Sequence, residues 1–273
     1  MNASKGRVFY YHANASPIGG FFTQPVEQIL PSHGSSSLAQ AGGNAGARVS
    51  KFRLDSLVSF EHAYSEIYGT TNKSNGAWTT SITSVVEGLN VAETVTADRV
   101  VAVLTIEHPM EGDFPRASVV GSQFENLRVA GVPITTELGK STVTNHAAGQ
   151  FPTTSILNDE NFVSNAVTQY ERITGLPDTP DWLKKRYEWI KSPETRRQKG
   201  YVLCSLADRV QGHKPEHTFG HVLHVPDFGN IFLSELLTDH HTFRLAMIRI
   251  EMGCANHGTV TIGGGDGNGS TMP

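Results

Sequence analysis

The sequence predicts a mainly β protein, an antiparallel β-sandwich or jelly-roll-like domain carrying an inserted α-helical hairpin. Three observations carry that expectation. From Val49 to about Leu138, and again after residue 200, short runs of Val, Ile, Thr and aromatic residues are cut by Gly, Asn, Asp and Pro, the composition of strands and turns. Residues 158–199 switch to helical periodicity. Strands gathered in runs, with the helices confined to one connection, fit a sandwich better than the alternation of a parallel α/β sheet.

Taken in order, the first thirty residues hold two aromatic patches, Val8 to Tyr11 and Phe21 to Phe22, around the turn-like SPIGG and before Pro25 and Pro31. They read as an extended arm. Residues 31–47 are rich in Gly, Ser and Ala, with Leu38 their one large apolar residue, and read as a flexible linker. The chain thus divides into an arm and linker over 1–48 and a sandwich domain over 49–273. An apolar arm beyond a linker either folds back on its own domain or docks on a neighbouring copy by strand exchange. The second case makes Phe9, Tyr10, Tyr11, Phe21 and Phe22 interface candidates in a homo-oligomer.

Residues 57–68 place Val58, Phe60, His62, Tyr64 and Tyr68 on one face by period 2. After the turn signal GTTNKSNG, the run WTTSITSVVEGL aligns Trp78, Thr80, Ile82 and Val86, completing a hairpin. The run RVVAVLTI (99–106) is apolar on both faces, as in a central strand. LRVAGVPITTEL, broken by Gly131 and Pro133, reads as an edge or bulged strand.

In the first helix Asn158 or Asp159 caps, Phe162, Val163, Ala166, Val167, Tyr170 and Ile173 recur at helical spacing, and Gly175 with Pro177 ends the run. In the second Thr179 caps, Pro180 opens, and Trp182, Leu183, Tyr187, Trp189 and Ile190 share a broad stripe. Strands resume in YVLCSLADRV, FGHVLHVPDFGNIFLSELL, TFRLAMIRIEMG and GTVTIGG, and the Gly-rich end IGGGDGNGSTMP reads as loose.

The 273 residues are long enough to bury about 70% of the extended chain's surface in one core. With 22 basic and 26 acidic residues the net charge is -4, which gives no general attraction to nucleic acid or anionic membrane. Neither a run of 18 apolar residues nor an apolar leader is present, so the expected location is the cytoplasm, or outside it by a route without a Sec signal. Cys204 and Cys254 read as two buried thiols, with a single bridge as the alternative.

For chemistry, the densest signal is histidine: His213, His217, His221, His224, His240 and His241 fall within one stretch of the chain. A metal site needs imidazole nitrogens converging at about 2.0–2.1 Å on one ion. The candidates are His217, His221, His240 and His241. Pro215 and Gly220 break the helical spacing, and on a strand His221 and His224 diverge. There is no G-x-S-x-G, Ser-x-x-Lys set or H-E-x-x-H, and no motif names a cofactor. The acidic strand residues Glu61, Glu66, Asp98, Glu107 and Glu125 and the basic run from Lys184 to Lys199 read as solvated faces. These observations favour a non-catalytic binding or self-assembling β-sandwich. The rivals are a metal-dependent enzyme built on the His213–His241 region and a carbohydrate- or small-ligand-binding sandwich.

Overall fold

The computed structural model describes residues 7–25, 27–138, 150–254 and 256–272. Strand β1 (Val8–Gln24) leads into β2 (Gln28–His33) and β3 (Ser36–Ser37). A meander of long strands follows: β4 (Gly43–Leu54), β5 (Val58–Thr71), β6 (Trp78–Val91) and β7 (Val95–His108). Next come the short strands β8 (Arg116–Ser118), β9 (Gln123–Glu125), β10 (Arg128–Val129), β11 (Val132–Pro133) and β12 (Thr135–Leu138). Helices α1 (Glu160–Thr174), α2 (Asp181–Lys191) and α3 (Pro193–Lys199) then precede β13 (Val202–Ser205), β14 (Ala207–Gln211), β15 (Thr218–Phe219) and β16 (Val222–Val225). The long strands β17 (Gly229–Thr238), β18 (Phe243–Cys254) and β19 (Asn256–Met272) complete the fold.

The strands form the sandwich that the composition predicts. One sheet runs β15-β16-β17-β18-β19-β1-β2, with β13 beside β17 and β3 beside β1; the other runs β11-β10-β7-β6-β5-β4, with β8 and β9 along β7. We call them sheets A and B. Their inner faces share a core in which Ile18, Ile248 and Ile262 of sheet A meet Phe60, Val86 and Val100 of sheet B. A second cluster at one end joins Phe9, Tyr11 and Phe243 to Trp78, Ile82 and Ile106. The broken segment around Gly131 and Pro133 forms the margin of sheet B, as its interruptions predict.

The expected arm and loose tail are corrected together. Residues 8–24 pair with residues 257–272, from Val8↔Met272 to Gln24↔His257, in the interior of sheet A. Phe9, Tyr11, Ala13, Ala15, Ile18 and Phe22 are buried there. The tail glycines are packing positions, not slack: a Cβ on Gly267 would lie 2.9 Å from the Ile106 side chain, and one on Gly269 would collide with the Phe9 ring. The boundary expected at residue 48 falls inside β4, which pairs with β5 from Gly43↔Gly69 to Leu54↔Val58. Backbone hydrogen bonds, which need no large side chain, hold this stretch in the sheet.

Each sheet also carries a transverse crease. In sheet A, Ser234, Met247, Gly263 and Pro17 lie side by side, skipped between the row Leu233–Ile248–Ile262–Ile18 and the row Glu235–Ala246–Gly264–Ser16. In sheet B, Lys51, Glu61, Gly88 and Asp98 make the equivalent row. Ser234, Gly263, Lys51 and Gly88 all have positive φ, between 52° and 64°. A left-handed residue on every second strand marks each crease, across which the inward-facing set is reset as at a bulge. That reset overturns the single face expected for residues 57–68: Val58 and Phe60 point inward, but beyond Glu61 the inward set becomes Ala63, Ser65 and Ile67, leaving Tyr68 exposed. Trp78, Thr80, Ile82 and Val86 precede the crease in β6 and are buried on one face as expected.

The helices lie on the outer face of sheet A, where Tyr170, Ile173, Leu183, Tyr187 and Ile190 pack on Phe219, Val222 and Phe232. Asp159 caps α1 by accepting from the Phe162 N–H. Pro180, not Thr179, is the N-cap of α2; the Thr179 hydroxyl instead donates to the Ile173 carbonyl at 2.6 Å. Trp182 departs from the expected stripe and is 38% exposed. The bridge alternative for the cysteines fails on distance. Cys204 pairs with Leu236, which pairs with Leu245, and Cys254 lies nine residues farther along β18. At about 3.4 Å per residue that is roughly 30 Å, against the 7 Å between Cα atoms that a disulfide tolerates.

Candidate functional site: a buried polar network and its cavity

The site forms where one edge of β17 changes partner. β17 keeps β18 along one side, but its other side pairs with β16 as far as Phe232↔Val222 and with β13 from Glu235↔Ser205. The gap is closed by two backbone bonds, Leu233 N–H to His221 O and Leu206 N–H to Ser234 O. Gly220 and His221 form the two-residue turn between Phe219 and Val222. Gly220 has φ +62°, and a Cβ there would lie 2.8 Å from Ile173, so both conformation and space favour glycine. The turn delivers His221 beneath the helices with its side chain fully enclosed.

Charged residues converge on that point from β17, β18 and α2. Arg249 donates from Nε to Glu235 Oε2 at 2.6 Å and places Nη2 at 2.6 Å from the same oxygen. Arg249 also pairs with Glu251, and Arg186 reaches Glu251 at 3.1 Å. Both guanidiniums lie over the Phe232 ring, at 3.8 and 4.7 Å. The Tyr187 hydroxyl donates to Glu235 Oε1 at 3.3 Å and lies 3.3 Å from His221 Nε2, while Tyr170 stacks on Tyr187 at 4.2 Å. Burial pushes the Glu235 carboxyl up, but the His221 imidazole and the Arg249 guanidinium outweigh it and hold the group below the usual carboxylate range. Burial likewise pushes the Tyr170 and Tyr187 phenols well above their ordinary value, so both stay protonated.

Beside this network lies a cavity of about 330 Å³. Asn165, Thr168, Gln169 and Arg172 line it from α1, and Cys204, Ser205, Gly220 and His221 from the sheet. Gln169 fixes the wall by treating β13 as a strand would: its Nε2 donates to Ser205 O at 3.0 Å and its Oε1 accepts from Ser205 N at 2.8 Å. His221 Nδ1 is buried and makes no hydrogen bond among the described residues.

The histidines expected to share a metal are dispersed. Of the four, only His221 enters this network. His217 lies with His213 and His224, ring centroids 6.4 and 5.7 Å away. His240 bonds Ser155 at 2.7 Å, and His241 stacks on Phe114 at 5.9 Å. His240 follows the far end of β17, seven residues beyond the Leu233 that bonds His221, or roughly 20 Å along a strand. Among the described residues no trio of His, Cys, Asp or Glu is arranged to hold a metal ion. Of the interface candidates, Phe9, Tyr11 and Phe22 are buried within the chain's own sandwich, Tyr10 is half-buried, and Phe21 is 50% exposed.

Sequence reasoning missed Arg186, Tyr187 as a polar partner, Glu235, Arg249 and Glu251. The signal for three of them was lone charges inside apolar runs, IFLSELL and MIRIE, because a charge enclosed by buried strand neighbours needs a partner. No helix among the described residues is long and apolar enough to cross a membrane. No curated protein and no solved structure matches the chain. One family model, described as "Domain of unknown function (DUF8256)", matches residues 9–239, a span that takes in β1, the helices, His221 and Glu235 and stops before Arg249. Covering most of the 273 residues, that match makes the chain a member of this family.

Proposed function

We propose that this protein is a non-catalytic β-sandwich that binds a small polar molecule in the cavity between α1 and the β13–β16 gap. The observation that carries the reading is the cavity itself, about 330 Å³ and walled by the polar side chains Asn165, Thr168, Gln169 and Arg172 of α1. Binding is favoured over catalysis because the neighbouring acid–base groups are already engaged. Glu235 is held by Arg249 and Tyr187, and both phenols keep their protons. The test is thermal melting against a panel of sugars, hydroxy acids, amino acids and nucleosides, with a Thr168→Trp variant that fills the cavity mouth. Stabilisation by a panel member that Thr168→Trp abolishes supports the reading; a panel without effect on the wild-type protein removes it.

A second reading, self-association, is supported by a different feature. Phe21 and Ile29 are direct cross-strand partners at the margin of sheet A, 50% and 75% exposed. With the rest of β1 built into the sheet, Phe21 is the expected interface residue left most exposed to a second copy, and Ile29 extends it. Light scattering of Phe21→Ser/Ile29→Ser beside the wild type tests it: a wild-type dimer that the double variant dissociates supports association, and a monomeric wild type rejects it.

A further inference from the structure

Sheet B ends in a long strand that is paired on one side. β4 spans 12 residues with β5 as its neighbour in the sheet, and none of its residues is buried. Among the described residues, the other ends of the two sheet paths are short or interrupted: β2 contains Pro31, β11 contains Pro133, and β15 has 2 residues. Shortness and proline blunt an edge against further pairing, whereas a long free edge is a template for another strand. We propose that β4 pairs antiparallel with β4 of a second copy, about a twofold axis at Ala47, so that sheet B continues from one subunit into the other. This contact lies on the opposite sheet from Phe21 and Ile29 and does not depend on either of them.

The register follows from where β4 stops being regular. Gly43 opens the stretch at φ +99°, and Lys51 ends it at the crease with φ +55°. The two are equidistant from Ala47, so a pairing that uses the whole stretch sets Ala47 against Ala47 and Arg48 of each copy against Gly46 of the other. Gly46 has no side chain to stand in the way, and its own cross-strand neighbour is Glu66. With strands about 4.8 Å apart, Arg48 lies about 10 Å from Glu66 of the second copy at the backbone, within the combined reach of the two side chains. Both residues are exposed. Within the chain Arg48 lies over the Tyr64 ring at 5.1 Å, and Glu66 accepts from the Tyr68 hydroxyl at 3.4 Å. The twofold axis makes the Arg48–Glu66 pair twice. Moving the axis to Arg48 would instead set Arg48 against Arg48, and like charges directly opposite each other are destabilising.

Sedimentation equilibrium of the full chain over a concentration series tests the contact. The wild type should form dimers. Arg48→Glu and Glu66→Arg each place like charges side by side at both copies of the pair, so each should weaken the dimer by about tenfold or more. Mixing the two variants is the decisive arm. In a mixed dimer every substituted side chain meets the opposite charge, so equal amounts of Arg48→Glu and Glu66→Arg should dimerise at the concentrations where the wild type does. Damage to the fold of a single chain would not be repaired by mixing. Phe21→Ser/Ile29→Ser, run beside them, reads the contact at the margin of sheet A separately. A mass that Arg48→Glu and Glu66→Arg leave unchanged, or a mixture of the two that stays monomeric, overturns the β4 pairing whatever the Phe21 variant does. A monomeric wild type overturns it together with the contact at Phe21 and Ile29.

Discussion

The outer face of sheet A treats its polar side chains in two opposite ways. Across β16, β17 and β18 the helices cover it, and Glu235, Arg249 and His221 are enclosed in a network closed by Tyr187, Glu251 and Arg186. Across β19, β1 and β2 it lies open, and His12, Asn14, Asp266 and Asn268 sit partly in solvent with contacts such as Asn14 to Asp266 at 3.2 Å. Strand alternation produced both sets, since each is the outward half of a strand whose inward half fills the core. What separates them is the cover supplied by residues 160–199. Under that cover a charge must be matched at close range, whereas in the open half water does the matching.

The largest expected effect comes from breaking the covered set. Glu235→Ala should destabilise by about 3–5 kcal/mol, because it removes a buried carboxylate from the half-buried Arg249 and strips the Tyr187 proton of its acceptor. Asp266→Ala in the open half should stay within about 0.5 kcal/mol. Urea denaturation of the two variants reads the contrast directly, and equal midpoints would erase it. Acid sharpens it further. The Glu235 carboxyl lies lower when folded than when unfolded, so its contribution is complete above the unfolded value and is lost as pH falls through the folded one.

The core supplies the next effect. His108, 6% exposed at the end of β7 beside the Phe9 ring, is held down to about 4 by burial and by the nearby His241. The unfolded chain takes up that proton near 6.5, so the stabilisation is complete above 6.5 and disappears as pH falls towards 4. At about 1.4 kcal/mol per pH unit it amounts to roughly 3 kcal/mol. Melts of wild type and His108→Phe between pH 7 and pH 4 should show the steeper acid loss in the wild type. Parallel curves would place the histidine in contact with water. Tyr187→Phe, which removes one hydroxyl from the covered network, should cost about 1–2 kcal/mol, measured by the same denaturant titration.

These contrasts show which parts of the molecule the sequence could reveal. The helical stripes were legible because Phe162, Ala166, Tyr170 and Ile173 repeat at the helical period, and that period survives whatever the helix packs against. β1 was half legible. Phe9, Tyr11, Ala13 and Ala15 alternate as a strand should, but the Gly- and Ser-rich stretches on either side suggested slack. Small residues in those stretches are what close packing and edge pairing require, which composition alone does not distinguish from flexibility. Beyond Glu61 the face assignment failed because the crease, marked by positive-φ Gly88 and Lys51 on the flanking strands, shifts the phase of β5 without interrupting its β character. The site was hidden for a topological reason. Glu235 and Arg249 meet across the paired strands β17 and β18, but His221 joins them where β17 exchanges β16 for β13, and nothing in the spacing of those residues encodes that exchange.

The smallest effect on stability belongs to the open half and concerns its apolar pair. Phe21 and Ile29 face each other across β1 and β2 on a surface otherwise occupied by Ser16, Ser32, Thr259 and Thr261. Exposed in the monomer, they contribute little that folding would lose, so Phe21→Ser/Ile29→Ser should shift the urea midpoint by less than about 0.5 kcal/mol in free energy. Solution mass is where they should tell. If a second copy covers the pair, the wild-type melting temperature rises with protein concentration, because association adds to apparent stability by mass action, and the double variant loses that dependence. A large loss of stability at constant mass would mean the pair is packed within the chain. The open half would then be covered too, and coverage would no longer separate the two halves.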